Sequence, residues 1–223
     1  MNALTPVYRA PLVFDIETTS IKDAEEYVEP VQPPANYKDE LKIAQWVAEK
    51  RAERIRKAAL DPDLARCVCI SLDSAAGKVT GSAHDEHAER GLLETFWANV
   101  GSGPEQAILI GFGILTYDLR VLLRRSLYLE VKAPPIQMDR YRHPGVIDLM
   151  ELLSYQGGET YHSLNFYVRR FGLGPFEPDI TGESVSSCIA VGDWKTVEEH
   201  CAMDVAKCRA LAERIGVLER AAA

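Results

Sequence analysis

No apolar run in the 223 residues approaches the length needed to span a bilayer, so a membrane partner is not expected. Residues 1–10 show no basic region followed by an apolar one, so a secretory leader is not expected either. There is no CxxC pair and no His/Cys zinc spacing among the five cysteines, an odd number. Cys67 and Cys69 alternate along a predicted strand, and Cys201 and Cys208 lie two turns apart on a predicted helix. This usage argues against a disulfide framework and against zinc, and points to reduced, partly buried thiols in a cytoplasmic protein. Positive charge is also in short supply. With 25 Lys+Arg against 33 Asp+Glu, the net charge of -8 argues against a sequence-indifferent DNA coat protein, whose affinity comes mostly from neutralising phosphates. It leaves open an enzyme that grips a chain end through metal ions. Local basic clusters (Lys50, Arg51, Arg54, Arg56 and Lys57; Arg120, Arg124 and Arg125; Arg169 and Arg170) read first as solvated helix faces. Repeats are absent, and low complexity is confined to the Ala221–Ala223 tail.

What is present suits one α/β domain over residues 1–223, since 47% hydrophobic content is enough for one sizeable core. Strand patterns occur at 11–16, 67–73, 78–83, 107–112 and 146–147, the second and third joined by a turn at 75–77. Helical periodicity occurs at 86–100, from near Tyr117, and at 148–153, 163–171 and 194–215. Short turns among the first strands, followed by alternating helices and strands, predict a mixed sheet with helices on both faces. Residues 21–62 interrupt this plan with a Pro- and acid-rich stretch and a charged amphipathic helix over 40–60, ended by Asp61-Pro62. Such a long connection is a functional loop or a decoration, and the sequence does not choose between them.

The residues that carry chemistry are acidic. Asp15 and Glu17 end the first strand, and strand alternation sends both side chains to one face. Neighbouring carboxylates repel and lose hydration, a cost that a divalent cation between them removes. Asp118 falls in the first turn of the helix after the fourth strand, where a plain helix-capping role is equally natural. Asp204 sits in mid-helix among Ala202, Met203, Val205 and Ala206, a poor place for a solvated carboxylate, with His200 one turn earlier. Taken alone, His200 and Asp204 read as well as an i,i+4 surface pair.

Taken together, the order of these motifs resembles the DEDD superfamily of 3'-5' exonucleases, which have the ribonuclease H-like fold. The likeness is strongest to stand-alone, often phage-encoded exonucleases similar to the proofreading domain of family B DNA polymerases. Phe14 to Thr18 reads FDIET, as in that group, and Gly111 to Leu122 reads GFGILTYDLRVL against the group's GFNIxxFDLPxL. Gly113 replaces the usual Asn and Arg120 the usual Pro, while VIDL at 146–149 and YHSL at 161–164 are similar to later family segments. The resemblance implies an α/β, ribonuclease H-like mixed five-stranded sheet flanked by helices, with a helical insertion after the first strand. It implies that Asp15, Glu17, Asp118 and Asp204 hold two Mg²⁺ or Mn²⁺ ions, a fit to oxygen donors. It further implies hydrolysis at single-stranded or frayed DNA 3' ends in a bacterial or phage-infected cell, beside a DNA polymerase or other replication protein. An exoribonuclease, or a non-catalytic binding module on a nuclease scaffold, are the alternatives. Thr18 is a candidate for holding the terminal nucleotide, and Phe112, Leu115 and Tyr161 for stacking or wedging.

His200 departs from both subclasses of that superfamily. One carries Tyr-x-x-x-Asp in the last motif and the other His-x-x-x-x-Asp; here His200 stands at the tyrosine spacing and Glu199 at the other. Four helical residues leave two side chains about 40° apart and five leave about 140°. His200 is therefore expected to face the metals, as a general base or as a residue that positions water.

Overall fold

A computed structural model describes residues 10–139, 143–176 and 182–219. Residues 1–9 of the leading segment and the Ala221–Ala223 tail lie outside the described residues. Five strands form one sheet: β1 (Pro11–Ser20), β2 (Ala65–Ser74), β3 (Gly77–Ser82), β4 (Ile108–Gly111) and β5 (Val146–Asp148). Their order is β3-β2-β1-β4-β5. The first three pair antiparallel, while β1–β4 and β4–β5 are parallel. This is the ribonuclease H-like arrangement expected from the motif order. The helices are α1 (Ala24–Tyr27), α2 (Glu40–Ala58), α3 (Glu86–Val100), α4 (Asp118–Tyr128), α5 (Leu149–Leu153), α6 (Leu164–Arg170), α7 (Gly182–Val191) and α8 (Trp194–Arg214). Among the described residues, no helix is long and apolar enough to cross a membrane.

The central strand explains the layering. Leu12, Phe14 and Ile16 of β1 face a core completed by Leu93, Phe96 and Trp97 of α3 and Leu119 and Leu122 of α4. Phe96 meets Phe14 edge-on at 5.1 Å and Trp97 at 4.7 Å. On the other face, Val13 packs with Ile110, Leu149, Tyr167 and Val205, Cys208 and Leu211 of α8. A strand buried on both sides can end in carboxylates only where one face opens, and that happens at Asp15. Side chains of Asp85, Ser163 and Asp193 cap α3, α6 and α8 by accepting amides of their first turns.

Two boundaries differ from the sequence pattern. β1 runs on to Ser20 because β2 keeps pairing with it as far as Ser20 with Ala65. Gly182–Val191 has no strong helical signal in its Gly, Ser and β-branched residues. It is helical all the same, because Val185 packs with Cys69, Val197 and Cys201. The insertion is pinned at its neck, where the Ile21 amide donates to Leu64 O at 2.9 Å. Its helix α2 buries only Ala58.

Candidate active site

Three elements deliver the acidic residues. Asp15 and Glu17 leave β1 on the face covered by α8, and a register shift against β2 follows directly after Glu17. There Glu17 pairs with Cys69 but Thr18 with Cys67, which makes Val68 an extra residue in β2. β4 ends early, its last partner on β1 being Val13. Beyond that point the β4-facing edge of β1 is open, and Asp118 closes it by accepting the Ile16 amide.

The loop that brings Asp118 there has a strict backbone. A Cβ on Gly111 would lie 2.4 Å from Ile114 Cγ2 and 2.8 Å from Phe14 O, so only glycine fits. Gly113 has a φ of +77°, a left-handed conformation that glycine and asparagine adopt most readily. Gly for Asn at 113 therefore keeps the backbone requirement. Asp148, at the end of β5, holds the loop. Its Oδ1 accepts the Gly113 amide at 2.8 Å and its Oδ2 the Leu115 amide at 2.9 Å, while Oδ1 also caps α5 through Met150 at 2.9 Å.

The third element is α8. His200 Nε2 lies 3.5 Å from Glu17 Oε1 and 3.9 Å from Asp204 Oδ2, and the side chain is only 8% exposed. Glu199 points elsewhere, to Lys195 at 3.6 Å. Asp204 Oδ1 accepts from the buried Lys207 Nζ at 2.9 Å. The Cys201 thiol donates to Asp15 O at 3.4 Å and lies 3.7 Å from Asp15 Oδ2.

Charge is concentrated where water is scarce. Burial pushes the Asp15 carboxyl well above its usual range, and Asp118, Glu17 and Asp204 push it further. Burial, then Asp204 and Asp118, raise Glu17 from 4.5 to about 8. Burial raises Asp118 from 3.8 to about 7, helped by Asp148 and opposed by the backbone amides of Asp118 and Ile16. Among the described residues, the one ammonium or guanidinium group paired with these four carboxylates is Lys207.

The site thus brings together Asp15, Glu17, Asp118, His200 and Asp204. Thr18 goes elsewhere: its hydroxyl donates to Ala59 O at 3.1 Å and lies 2.7 Å from the Tyr117 hydroxyl, which also donates to Ala59 O. It ties β1 to the end of the insertion rather than joining the carboxylates. Phe112 packs in the second core against Tyr167. Leu115 and Tyr161 line a cleft of about 490 Å³ with Arg120 and His143, and the Tyr161 hydroxyl donates to Glu151 at 3.1 Å. Asp148, Cys201 and Lys207 have no assigned part in the sequence reading. A signal exists for two of them: Cys201 and Lys207 stand three residues before and after Asp204, on its side of the helix.

No curated protein matches the chain. Among solved structures, the chain is similar to the family B DNA polymerase of the hyperthermophilic archaeon Pyrobaculum calidifontis. The TM-score is 0.63 and the identity 17%, over 96% of this chain and 25% of the polymerase chain. At that identity the shared property is the fold, and the chain spans about a quarter of the polymerase's length. The family model that matches covers residues 59–215, which include Asp118, His200 and Asp204 and follow Asp15 and Glu17. The chain belongs to that family, described as predicted 3'-5' exonucleases related to the exonuclease domain of PolB.

Proposed function

We propose that the chain is a divalent-metal-dependent 3'-5' exonuclease. It hydrolyses the terminal phosphodiester bond of single-stranded or frayed DNA and releases nucleoside monophosphates. The observation that carries this reading is the meeting of Asp15, Glu17, Asp118 and Asp204 from three separate elements, with His200 among them. Asp15, Glu17 and Asp118 have raised proton affinity, one lysine pairs with the group through Asp204, and the carboxylates offer only oxygen donors. That set fits two Mg²⁺ or Mn²⁺ ions, held by the four carboxylates. Bound there, such ions polarise a phosphoryl oxygen and make water a better nucleophile.

The chain's own residues hold the geometry. The Ile16 amide and Asp148 set the position of Asp118, and Lys207 that of Asp204. Close to Glu17 and Asp204, the His200 imidazole is placed to orient the attacking water or take its proton. The cleft beside Leu115 and Tyr161 offers an apolar wall and a half-exposed phenol, 47% accessible, to an unpaired base.

The test uses 5'-labelled single-stranded DNA and RNA with Mg²⁺, Mn²⁺ or EDTA. The expected outcome is DNA shortened from its 3' end with either metal and intact in EDTA. Preferential digestion of RNA would replace this reading with an exoribonuclease. Binding without cleavage under any metal would leave a non-catalytic module.

A further inference from the structure

Three arginines leave α4, and the fold answers two of them. Arg125 is buried against Glu89, and Arg124 Nε lies 3.3 Å from Asp63 Oδ1. Arg120 is exposed and makes no ion pair among the described residues. Its Nε donates to Leu115 O at 3.0 Å, which holds the guanidinium and leaves both terminal nitrogens without a partner among those residues. Arg120 lines the cleft of about 490 Å³ that also holds Leu115 and Tyr161, and among the described residues it is the one lysine or arginine to do so. Two carboxylates share that cleft, but each is taken up by a neutral donor. Glu151 accepts from the Tyr161 hydroxyl at 3.1 Å, and Asp139 from the Gln137 amide at 2.7 Å. Their charge repels an anion from their own walls and confines it to the Arg120 side. An exposed cation in the first turn of a helix also opposes the helix dipole, so the fold gains little by placing one there. A guanidinium with its terminal nitrogens unpaired is a bidentate site for phosphate.

Its place on the helix says which phosphate. Two helical positions turn through about 200°, so Arg120 leaves α4 on the side away from the buried Asp118. It is therefore not placed to share the phosphate assigned to the carboxylates and their ions. At a 3' hydroxyl end the last nucleotide carries no phosphate beyond the scissile one, so every other phosphate lies on its 5' side. We propose that Arg120 is a substrate-anchoring residue, whose guanidinium grips a non-scissile backbone phosphate on the 5' side of the bond that is cut, so that the strand enters along this cleft. The direction of the strand rests on the nuclease reading; the phosphate contact does not. A grip on phosphate reads no base, so the anchor serves any sequence. Proline, usual at this position in the similar exonucleases, has no side-chain donor, so the anchor is a property of this chain.

The test places one neutral methylphosphonate linkage at a time along a 5'-labelled oligothymidylate. In digestion by the wild type with Mn²⁺, one linkage on the 5' side of the scissile bond should raise KM about tenfold when neutral, the scale of a charged hydrogen-bonded contact. Arg120→Gln should raise KM for the all-phosphate strand by about the same factor, with kcat lowered less than about twofold, and should no longer respond to that linkage. Arg124→Gln removes the same charge from the same helix and should respond as the wild type does. A linkage effect that survives in Arg120→Gln, or that Arg124→Gln also loses, would overturn the anchor. So would a fall in kcat at constant KM, which marks a purely structural bond to Leu115. Binding of the same strands in EDTA separates the anchor from the nuclease reading. There Arg120→Gln should lower the log–log salt slope by about 0.7 and lose the linkage preference. That binding result in a protein that cuts nothing would keep the anchor and remove the nuclease reading; normal cutting with no Arg120-dependent linkage would do the reverse.

Discussion

Glu89 and Asp118 are both buried carboxylates on helices packed against the same side of the sheet, and their surroundings differ in kind. Glu89 on α3 is 0% exposed and fully answered. Arg125 donates to both of its oxygens at 2.7 Å, and the Cys67 amide donates at 2.9 Å. Asp118, 7% exposed, meets Asp15, Glu17 and Asp148, with backbone amides as its partners. The first arrangement is closed: the fold supplies the opposite charge, and removing either partner strands the other. The second is open: like charges gather around it, and under the proposed function the rest of the counter-charge comes from metal ions. A buried carboxylate with its own arginine therefore belongs to stability, and one among other carboxylates belongs to chemistry.

The largest expected effect tests the open group. Asp15→Ala or Asp118→Ala should lower nuclease turnover by about 10³-fold or more, while circular dichroism stays native. Near-normal cleavage by Asp118→Ala would break the comparison at its catalytic end. On the closed side, Glu89→Ala leaves the buried Arg125 with only the exposed Glu86 at 3.4 Å and should cost about 3–5 kcal/mol of unfolding free energy, read by denaturant titration. Asp118→Asn, by contrast, keeps an acceptor for the Ile16 amide and relieves repulsion. It should leave metal-free stability equal or higher. Equal destabilisation by the two changes would show that both carboxylates are structural.

His200 sharpens the open group further. His200→Ala should lower turnover by about 10²-fold, the usual scale of a general base or water-positioning group. Partial recovery in His200→Tyr with an unchanged pH-rate profile marks positioning; loss of the acidic limb in that variant marks a base.

Without metal, stability should fall as pH rises. Glu17 is raised from 4.5 to about 8 and Asp118 from 3.8 to about 7 in the folded chain, so the folded state holds protons that the unfolded state has released. Their contribution is full below the unfolded values and lost as pH climbs through about 7 to 8. In EDTA the unfolding free energy should be larger at about pH 5.5 than at about pH 8.5, by on the order of a few kcal/mol, and the Tm higher with it. Mg²⁺ or Mn²⁺ should narrow or reverse that difference, because the cation replaces the proton. A Tm in EDTA that rises toward pH 8.5 would contradict the raised proton affinities.

Much of this contrast is legible in the chain before folding. The pairing of Asp15 with Glu17 follows from strand alternation, and the facing of His200 and Asp204 from helical pitch; both are local rules. The mixed sheet follows from the early strands and the helix–strand alternation after them, but the adjacency of β1 and β2 across residues 21–64 does not. Contacts between distant elements are not legible in the same way. Nothing near Glu89 indicates that Arg125, 36 residues later, will reach it. Likewise Asp148 holds the Asp118 loop from 35 residues beyond Gly113, and Cys201 meets Asp15 across 186 residues. The Thr18 hydroxyl turns away because alternation puts it opposite Glu17, where Tyr117 and Ala59 happen to close on it.

The insertion gives the smallest effect, and it extends the comparison to the surface. A basic run at 50–57 could serve as a phosphate track instead of a solvated face, but most of its charges are answered within the insertion. Lys50 and Lys57 both pair with Glu53, whose carboxyl their hydrogen bonds hold down to about 2. Arg51 pairs with Glu25, and Arg54 donates to the Glu29 carbonyl. Arg56 is exposed and makes no ion pair among the described residues. Exposed pairs of this kind are screened by solvent and add little, so replacing Arg51, Arg54 and Arg56 with Gln should shift Tm little. If the three arginines contacted phosphates, their loss would flatten the salt dependence of single-strand binding by about 2 in log–log slope, at about 0.7 per contact. Because two of them already have partners, the expected change is below about 0.7. Titrating a labelled oligonucleotide at several salt concentrations in EDTA measures it. A drop near 2 would mean that the substrate displaces these internal contacts and that the insertion handles the strand. An unchanged slope places the grip at the carboxylate end of β1, with the insertion left as surface.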